Sequence, residues 1–440
     1  MTPNEERPTA PAVPMPYREA LAWLFGTQLF GIKLGLENIE RLLDALRIPR
    51  ESAASRKIIH VAGTNGKGSV CAMIDSICRA QGYRTGLFTS PHLITFRERI
   101  RVDGEMISEA DVTRGLTTIR ETVHAWEPHP TFFEIATALG LLHFREQKCE
   151  IVVLETGMGG RLDATNSITP VVSVITPIAL DHQKWLGHSL AEIAAEKAGI
   201  IKPGVPVVSA AQLAEAGEVI RARFGSLKEG RSPRRRVATG AARRVPLLEF
   251  IPDVYTTSQI ALPGAHQTQN AALALAALRV AGIEVSARAI ADGLATVQWP
   301  ARFQRFDDRI VIDGAHNPSG ARILVETWRE VFGNEKATLI FGALADKDIA
   351  ASWRELREIA AAVILPHFRG ERVAPPAEVA RIVESITLEI PRTLTESTSA
   401  AIETARQRPG KTLICGSLHL AGEALAHLLG TPAVFEECAQ

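Results

Sequence analysis

This 440-residue sequence has no excess of either charge: 49 Lys plus Arg are matched by 49 Asp plus Glu, a formal net charge of zero. Nucleic-acid and membrane-surface proteins usually carry a basic excess, so neither partner is expected. Cysteines are few. The five (Cys71, Cys78, Cys149, Cys415, Cys438) are odd in number and never in C-x-x-C spacing, which argues against a disulfide framework or a structural zinc site and fits a reducing compartment. The longest apolar stretch, Ala271 to Leu278, is far short of the roughly 20 residues of a membrane span. The first sixteen residues hold five prolines and no apolar h-region, and they read as a flexible tail rather than a signal peptide. A soluble, cytoplasmic protein is expected.

The composition is that of a globular α/β protein, 46% hydrophobic, 22% charged and 5% aromatic, at a length that suggests two domains. Apolar residues recur at helical spacing from Tyr17 through Leu46. A strand follows at Lys57–Ala62, then a glycine-rich turn, then a helix over Ser69–Ala80. Short apolar runs at Ile151–Leu154 and Val171–Thr176 read as buried parallel strands in a βαβ arrangement. A second α/β rhythm begins near Arg302, with strands at Arg309–Asp313, Thr338–Phe341, Ala362–Leu365 and Thr412–Cys415. The expected organisation is a tail over 1–16, a P-loop-type domain with a mostly parallel sheet over 17–298, and a smaller Rossmann-like α/β domain over 299–440. The linker is placed near Thr296–Ala301. Six arginines among Gly, Ser and Pro in Gly225–Arg244 read as a solvated surface loop, since no aromatic residues are interleaved.

The segment Gly63-Thr64-Asn65-Gly66-Lys67-Gly68-Ser69 lies between an expected strand and an expected helix. Glycines there let backbone N–H groups turn onto phosphate oxygens, and the helix N-terminus adds its positive end. Lys67 would reach the outer phosphates. The common spacing of four residues between the first glycine and Gly-Lys-Ser/Thr is not met, because its first glycine would fall at Val61 and Gly68 intervenes before Ser69.

This variant loop resembles that of the Mur ligase superfamily, and of folylpolyglutamate and dihydrofolate synthases in particular. Further segments carry the resemblance from about residue 20 to residue 423, beginning with Lys33-Leu34-Gly35-Leu36-Glu37. Thr89-Ser90-Pro91-His92-Leu93 with Arg97-Glu98-Arg99-Ile100, alone no more than a turn, resembles the folate-ligase segment whose serine contributes to magnesium. Glu155 opens Glu155-Thr156-Gly157-Met158-Gly159-Gly160, where the family usually has Glu-Val-Gly-Leu-Gly-Gly, and it resembles the magnesium carboxylate. His182 in Asp181-His182 resembles the metal-binding histidine. Lys197 in Ala195-Glu196-Lys197-Ala198-Gly199 matches the family's carbamylated lysine, a modification that first requires loss of its proton. The resemblance also places Phe133 and Asp163 in the pterin pocket, and Asn270, Arg302, Asp313 and His316 on ATP. Trp299-Pro300-Ala301-Arg302 departs from the family's Trp-Pro-Gly-Arg by Ala301, which narrows backbone freedom at the domain junction.

The implied activity is ATP-dependent addition of L-glutamate to dihydropteroate and to reduced folates through an acyl phosphate. It would use two magnesium ions, and the family expectation is a monomer. Three alternatives stay open on the sequence: a folylpolyglutamate synthase without the dihydropteroate reaction, a peptidoglycan-type ligase, and a nucleotide-binding ATPase with no ligase activity.

Overall fold

A computed structural model describes residues 15–30, 35–229, 247–370, 372–431 and 436. Residues 1–14 of the expected tail, Lys33 and Leu34 of the opening motif and most of the arginine-rich segment lie outside the described residues.

Among the described residues the strands form two sheets. The first has eight: β1 (Lys57–Ala62), β2 (Thr85–Phe88), β3 (Ile100–Val102), β4 (Glu105–Met106), β5 (Ile151–Glu155), β6 (Val172–Ile175), β7 (Val207–Ala210) and β8 (Leu248–Ile251), in the order β4-β3-β2-β5-β1-β6-β7-β8. From β2 to β8 all pairings are parallel, while β3 and β4 attach as an antiparallel edge. β5 is buried along its whole length and β1 except at Lys57, because helices cover both faces. Their sequences therefore read as continuous apolar runs rather than as alternation. Helix Lys67–Gln81 follows β1, and every residue from Gly68 to Cys78 is buried. Helices His266–Ala281 and Ala287–Thr296 pack against it. Its buried Asp75 and Ser76 are paired: Asp75 accepts from Arg79 Nε at 2.8 Å and Thr85 Oγ1 at 2.6 Å, and Ser76 Oγ donates to Gly293 O at 2.7 Å.

The second sheet has six strands: β9 (Gln304–Arg305), β10 (Ile310–Ile312), β11 (Ala337–Phe341), β12 (Ala360–Pro366), β13 (Arg392–Thr395) and β14 (Lys411–Cys415), in the order β13-β12-β11-β14-β10-β9. Only β9 runs antiparallel. The mostly parallel first sheet and the smaller second α/β unit agree with the expected fold class.

Between helix Ala287–Thr296 and β9 the chain makes an unusual turn. Ala301 and Phe303 both have positive φ, +54° and +44°, although neither is glycine. The turn is held from the second sheet: Gly314 N–H donates to Ala301 O at 2.9 Å, and Phe303 N–H donates to Asp313 Oδ2 at 2.7 Å. A left-handed alanine costs about 1 kcal/mol relative to glycine. Ala301→Gly is therefore expected to raise the urea midpoint by the equivalent of roughly 0.5–1 kcal/mol. An unchanged or lower midpoint would mean that the fully buried Ala301 methyl contributes more packing than the backbone loses in strain.

Candidate active site

The sheet register determines which residues meet. Val61 pairs with Glu155 and Ala62 pairs with Ile175, so the segments leaving β5, β1 and β6 start at one level. Ligands of open α/β sheets bind at this carboxyl edge. The segment after β1 is Gly63–Ser69. Its Thr64 and Asn65 N–H groups donate to Pro177 O at 3.0 and 3.2 Å, and Thr64 Oγ1 donates to Ala179 O at 3.0 Å. The phosphate loop is thereby fastened to the chain that leaves β6. Gly66 sits at φ +86° as the N-cap of helix Lys67–Gln81, and a Cβ there would stand 2.7 Å from Asn270 Oδ1. Asn270, whose Nδ2 donates to Gln267 Oε1 at 2.9 Å, thus lies directly against the loop. Lys67 Nζ lies at the loop's mouth, donating to Thr64 O at 3.4 Å.

Glu155 ends β5 and is only 4% exposed. Burial pushes its carboxyl pKa up, against the opposing influence of Lys67, the Ser90 N–H and Arg302. That N–H donates to Glu155 Oε2 at 3.2 Å, while the Ser90 hydroxyl is buried with no hydrogen-bond partner. An orphaned hydroxyl beside an incompletely compensated carboxylate is a hard-oxygen donor pair, which suits magnesium completed by water and phosphate oxygens.

Across the loop, His182 adopts the left-handed conformation (φ +49°) at the start of the short helix Gln183–Leu186. Burial holds its ring pKa down to about 3, so the imidazole is neutral and able to ligate. Lys197 lies in the last turn of helix Leu190–Ala198, whose N-terminus is closed by a Ser189–Glu192 capping box. The lysine is 4% exposed and donates to Gly63 O at 2.7 Å. Burial first, and then the charge of Lys67, hold its amine pKa down to about 7.

The second domain brings the ends of β10, β11 and β14 to the same cleft. Arg302, Asp313, His316, Lys347, Arg372, Ser417 and His419 line it together with Gly63–Ser69, Ser90, Glu155, His182, Lys197 and Asn270. Asp313 uses its carboxylate within the fold, accepting from Phe303 N–H and from Ala315 N–H at 2.8 Å. Both ring nitrogens of His316 also have partners within the fold: Nδ1 contacts Gly314 O at 2.8 Å, and Nε2 faces Asp181 at 3.4 Å.

Phe133 and Asp163 do not line this cleft. Phe133 packs near Phe88, with ring centroids 6.0 Å apart. Asp163 Oδ2 accepts from the Gly157 and Met158 N–H groups at 2.8 and 3.0 Å, and Oδ1 accepts from the N–H and hydroxyl of Thr165 at 3.0 and 2.5 Å. Its carboxylate shapes the loop that follows Glu155.

The sequence reading assigned no role to Asp181, which the structure puts at the centre of the seam. Its carboxylate is 6% exposed and accepts from Lys347 Nζ at 2.6 Å and Asn317 Nδ2 at 3.1 Å, both from the second domain. Burial alone would raise its pKa, but His316, His182 and Lys347 together hold it well below the usual carboxylate range. The nearest sequence signals were Asp181-His182 after a strand and the charged triplet Asp346-Lys347-Asp348. Neither one indicates that they meet.

Residues 61–278 match the family model of the Mur ligase middle domain, and residues 301–418 match that of the Mur ligase glutamate ligase domain. The dihydrofolate synthase/folylpolyglutamate synthase of Bacillus subtilis is 38% identical over 370 residues, covering 80% of this chain and 85% of that protein. The folylpolyglutamate synthase of Lacticaseibacillus casei is 34% identical over 436 residues, covering 94% and 99%. The structure of Escherichia coli FolC in complex with DHPP and ADP superposes with a TM-score of 0.81 at 28% identity, covering 96% of this chain and 99% of that one. Sequence, fold and the arrangement of the cleft agree: the chain belongs to the folylpolyglutamate synthase/dihydrofolate synthase family of Mur ligases.

Proposed function

We propose that this ATP-dependent ligase adds L-glutamate to dihydropteroate and to reduced folates. The observation that carries the reading is one cleft holding the phosphate loop, the Ser90–Glu155 oxygen pair and the buried, readily deprotonated Lys197, closed from the second domain. A carboxylate does not react with an amine directly. Transfer of the ATP γ-phosphoryl group to a carboxylate oxygen gives an acyl phosphate and ADP. The glutamate amine then attacks the carbonyl carbon, loses a proton, and phosphate departs as the amide forms. Positioning and charge neutralisation do most of this work. Lys67 and Arg302 bring positive charge to the transferred group, and Asn270 braces the loop. The second domain excludes water from the acyl phosphate. When bound, magnesium would be held by Ser90 and Glu155, with a second ion on His182 and a carbamylated Lys197, and would supply further neutralisation of phosphate charge. We take the domains as 17–298 and 299–440, and the protein as a cytoplasmic monomer. No helix among the described residues is long and apolar enough to cross a membrane.

One observation favours a second reading, chain extension of reduced folates alone: both Asp163 oxygens are taken by donors of their own loop. The two separate by phosphate release from Mg-ATP plus glutamate, with dihydropteroate in one reaction and tetrahydrofolate in another. Release in both is the expected result. Release with tetrahydrofolate alone restricts the enzyme to extension, and silence in both with ATP binding intact overturns the proposal.

A further inference from the structure

The loop that carries Ser90 is held at two points, one on the second sheet's helix Leu418–Leu428 and one on Glu436. Leu93 belongs to the hydrophobic cluster of the second sheet, with Leu420, Ala421 and Ala424. Its carbonyl lies so close to Gly422 of helix Leu418–Leu428 that any Cβ there would overlap it. The other grip is Glu436, near the end of the chain. Its backbone N–H donates to Ile94 O at 2.7 Å, and its carbonyl contacts His92 Nε2 at 3.1 Å. Its Oε2 accepts from Phe96 N–H at 2.6 Å and Thr95 Oγ1 at 3.1 Å, and its Oε1 accepts from Tyr17 Oη at 3.1 Å. One residue thus uses all its polar groups on the first domain, four of the five bonds falling on a single loop.

That loop is stiff within itself. The N–H groups of Leu93, Ile94 and Thr95 all donate to the Glu98 carboxylate, at 2.9, 2.8 and 2.9 Å. Arg99 Nε donates to His92 Nδ1 at 2.9 Å. A displacement at Thr95 or Phe96 is therefore passed to Ser90 rather than absorbed between them.

We propose that Glu436 is a positioning residue of the ligase, bracing the Ser90–Arg99 loop through these bonds and so setting where Ser90 stands beside Glu155. The proposal rests on the ligase reading above. It is tested in the full-length protein by comparing wild type, Glu436→Ala and Glu436→Gln. The measurements are KM for tetrahydrofolate, half-saturating magnesium, ATP affinity, thermal midpoint and amide exchange at Phe96. In Glu436→Ala the tetrahydrofolate KM and half-saturating magnesium are expected to rise about tenfold, from loss of charge-assisted bonds. ATP affinity should stay within about twofold, because the phosphate loop is fastened elsewhere, and Phe96 should exchange faster. Glu436→Gln keeps an acceptor oxygen for Phe96 and Thr95 and should return both constants to within about threefold of wild type. Unchanged acceptor and magnesium constants in the alanine variant would overturn the proposal. So would a uniform loss of ATP affinity, acceptor affinity and thermal midpoint, which marks a general structural contact. Wild-type silence with either acceptor would defeat the ligase reading instead, since Phe96 exchange and the magnesium dependence of ATP binding are readable without turnover.

Discussion

Lys197→Ala is expected to lower glutamate-dependent turnover about a thousandfold while leaving ATP binding measurable, and acetate or formate should restore part of the rate. The reasoning starts from burial. An ammonium group in this position loses most of its hydration, has a single carbonyl partner in Gly63, and sits near the positive Lys67. Its pKa near 7 makes the neutral amine available at physiological pH, and only the neutral amine combines with carbon dioxide. The direction with pH follows. Below pH 7 the amine is protonated and a carbamate on it would be lost, so with carbamylation the wild-type rate should fall as pH drops through 7 and be raised by added bicarbonate near that value. Full activity of the alanine variant would remove Lys197 from the chemistry. Lost activity that no short carboxylate restores, with wild type indifferent to bicarbonate, would reduce it to a tie on Gly63.

Asp181→Ala is expected to lower turnover roughly a hundredfold by loosening the closed arrangement of the two domains. Removing one partner of a buried ion pair costs about 3–5 kcal/mol, because the other charge is left desolvated and unpaired. Lys347 is 7% exposed and sits 2.6 Å from Asp181, so it would be left with only Asp346 at 4.0 Å as a carboxylate partner. Small-angle scattering with ATP and acceptor bound should show a larger radius of gyration for the variant than for wild type. If wild type itself shows no compaction on binding, closure is not part of the cycle. Replacing both partners, as in Asp181→Ala with Lys347→Met, should regain stability relative to the single change without regaining activity. The carboxylate's depressed pKa means that its contribution is complete above the unfolded carboxyl value near 3.9. That contribution is lost only as pH falls through the lower folded value, so mild acid should leave the clasp intact.

Local chemistry made the phosphate loop and several central strands legible, though the buried interior strands β2 and β7 were missed. Ile151–Leu154, Val171–Thr176 and Thr412–Cys415 are buried on both faces, so their apolar runs fall within a residue or two of the observed β5, β6 and β14. The helix expected over Ser69–Ala80 runs Lys67–Gln81. Strands that lie at edges or carry polar faces were not found. β3 and β4 turn through Asp103-Gly104 with both residues of β4 exposed, and β13 is an edge strand with no fully buried residue. Neither leaves a hydrophobic pattern long enough to read. Within the site, glycine spacing pointed to Lys67 and strand-end position to Glu155, whereas His182 stood out only through the family resemblance. Asp181 and Lys347 are separated by 166 positions, and their pairing is a property of the fold that no local pattern encodes.

Asn317 caps helix Pro318–Phe332 through Gly320 N–H, and its amide also reaches Asn65 Oδ1 and Asp181 Oδ2, each at 3.1 Å. One second-domain side chain therefore touches both the phosphate loop and the clasp. By thermodynamic linkage, whatever factor ATP contributes to closing the cleft, a closed cleft must return to ATP affinity. A variant locked shut should then hold nucleotide more tightly before any acceptor arrives, and release of ADP would become the slow step of its cycle.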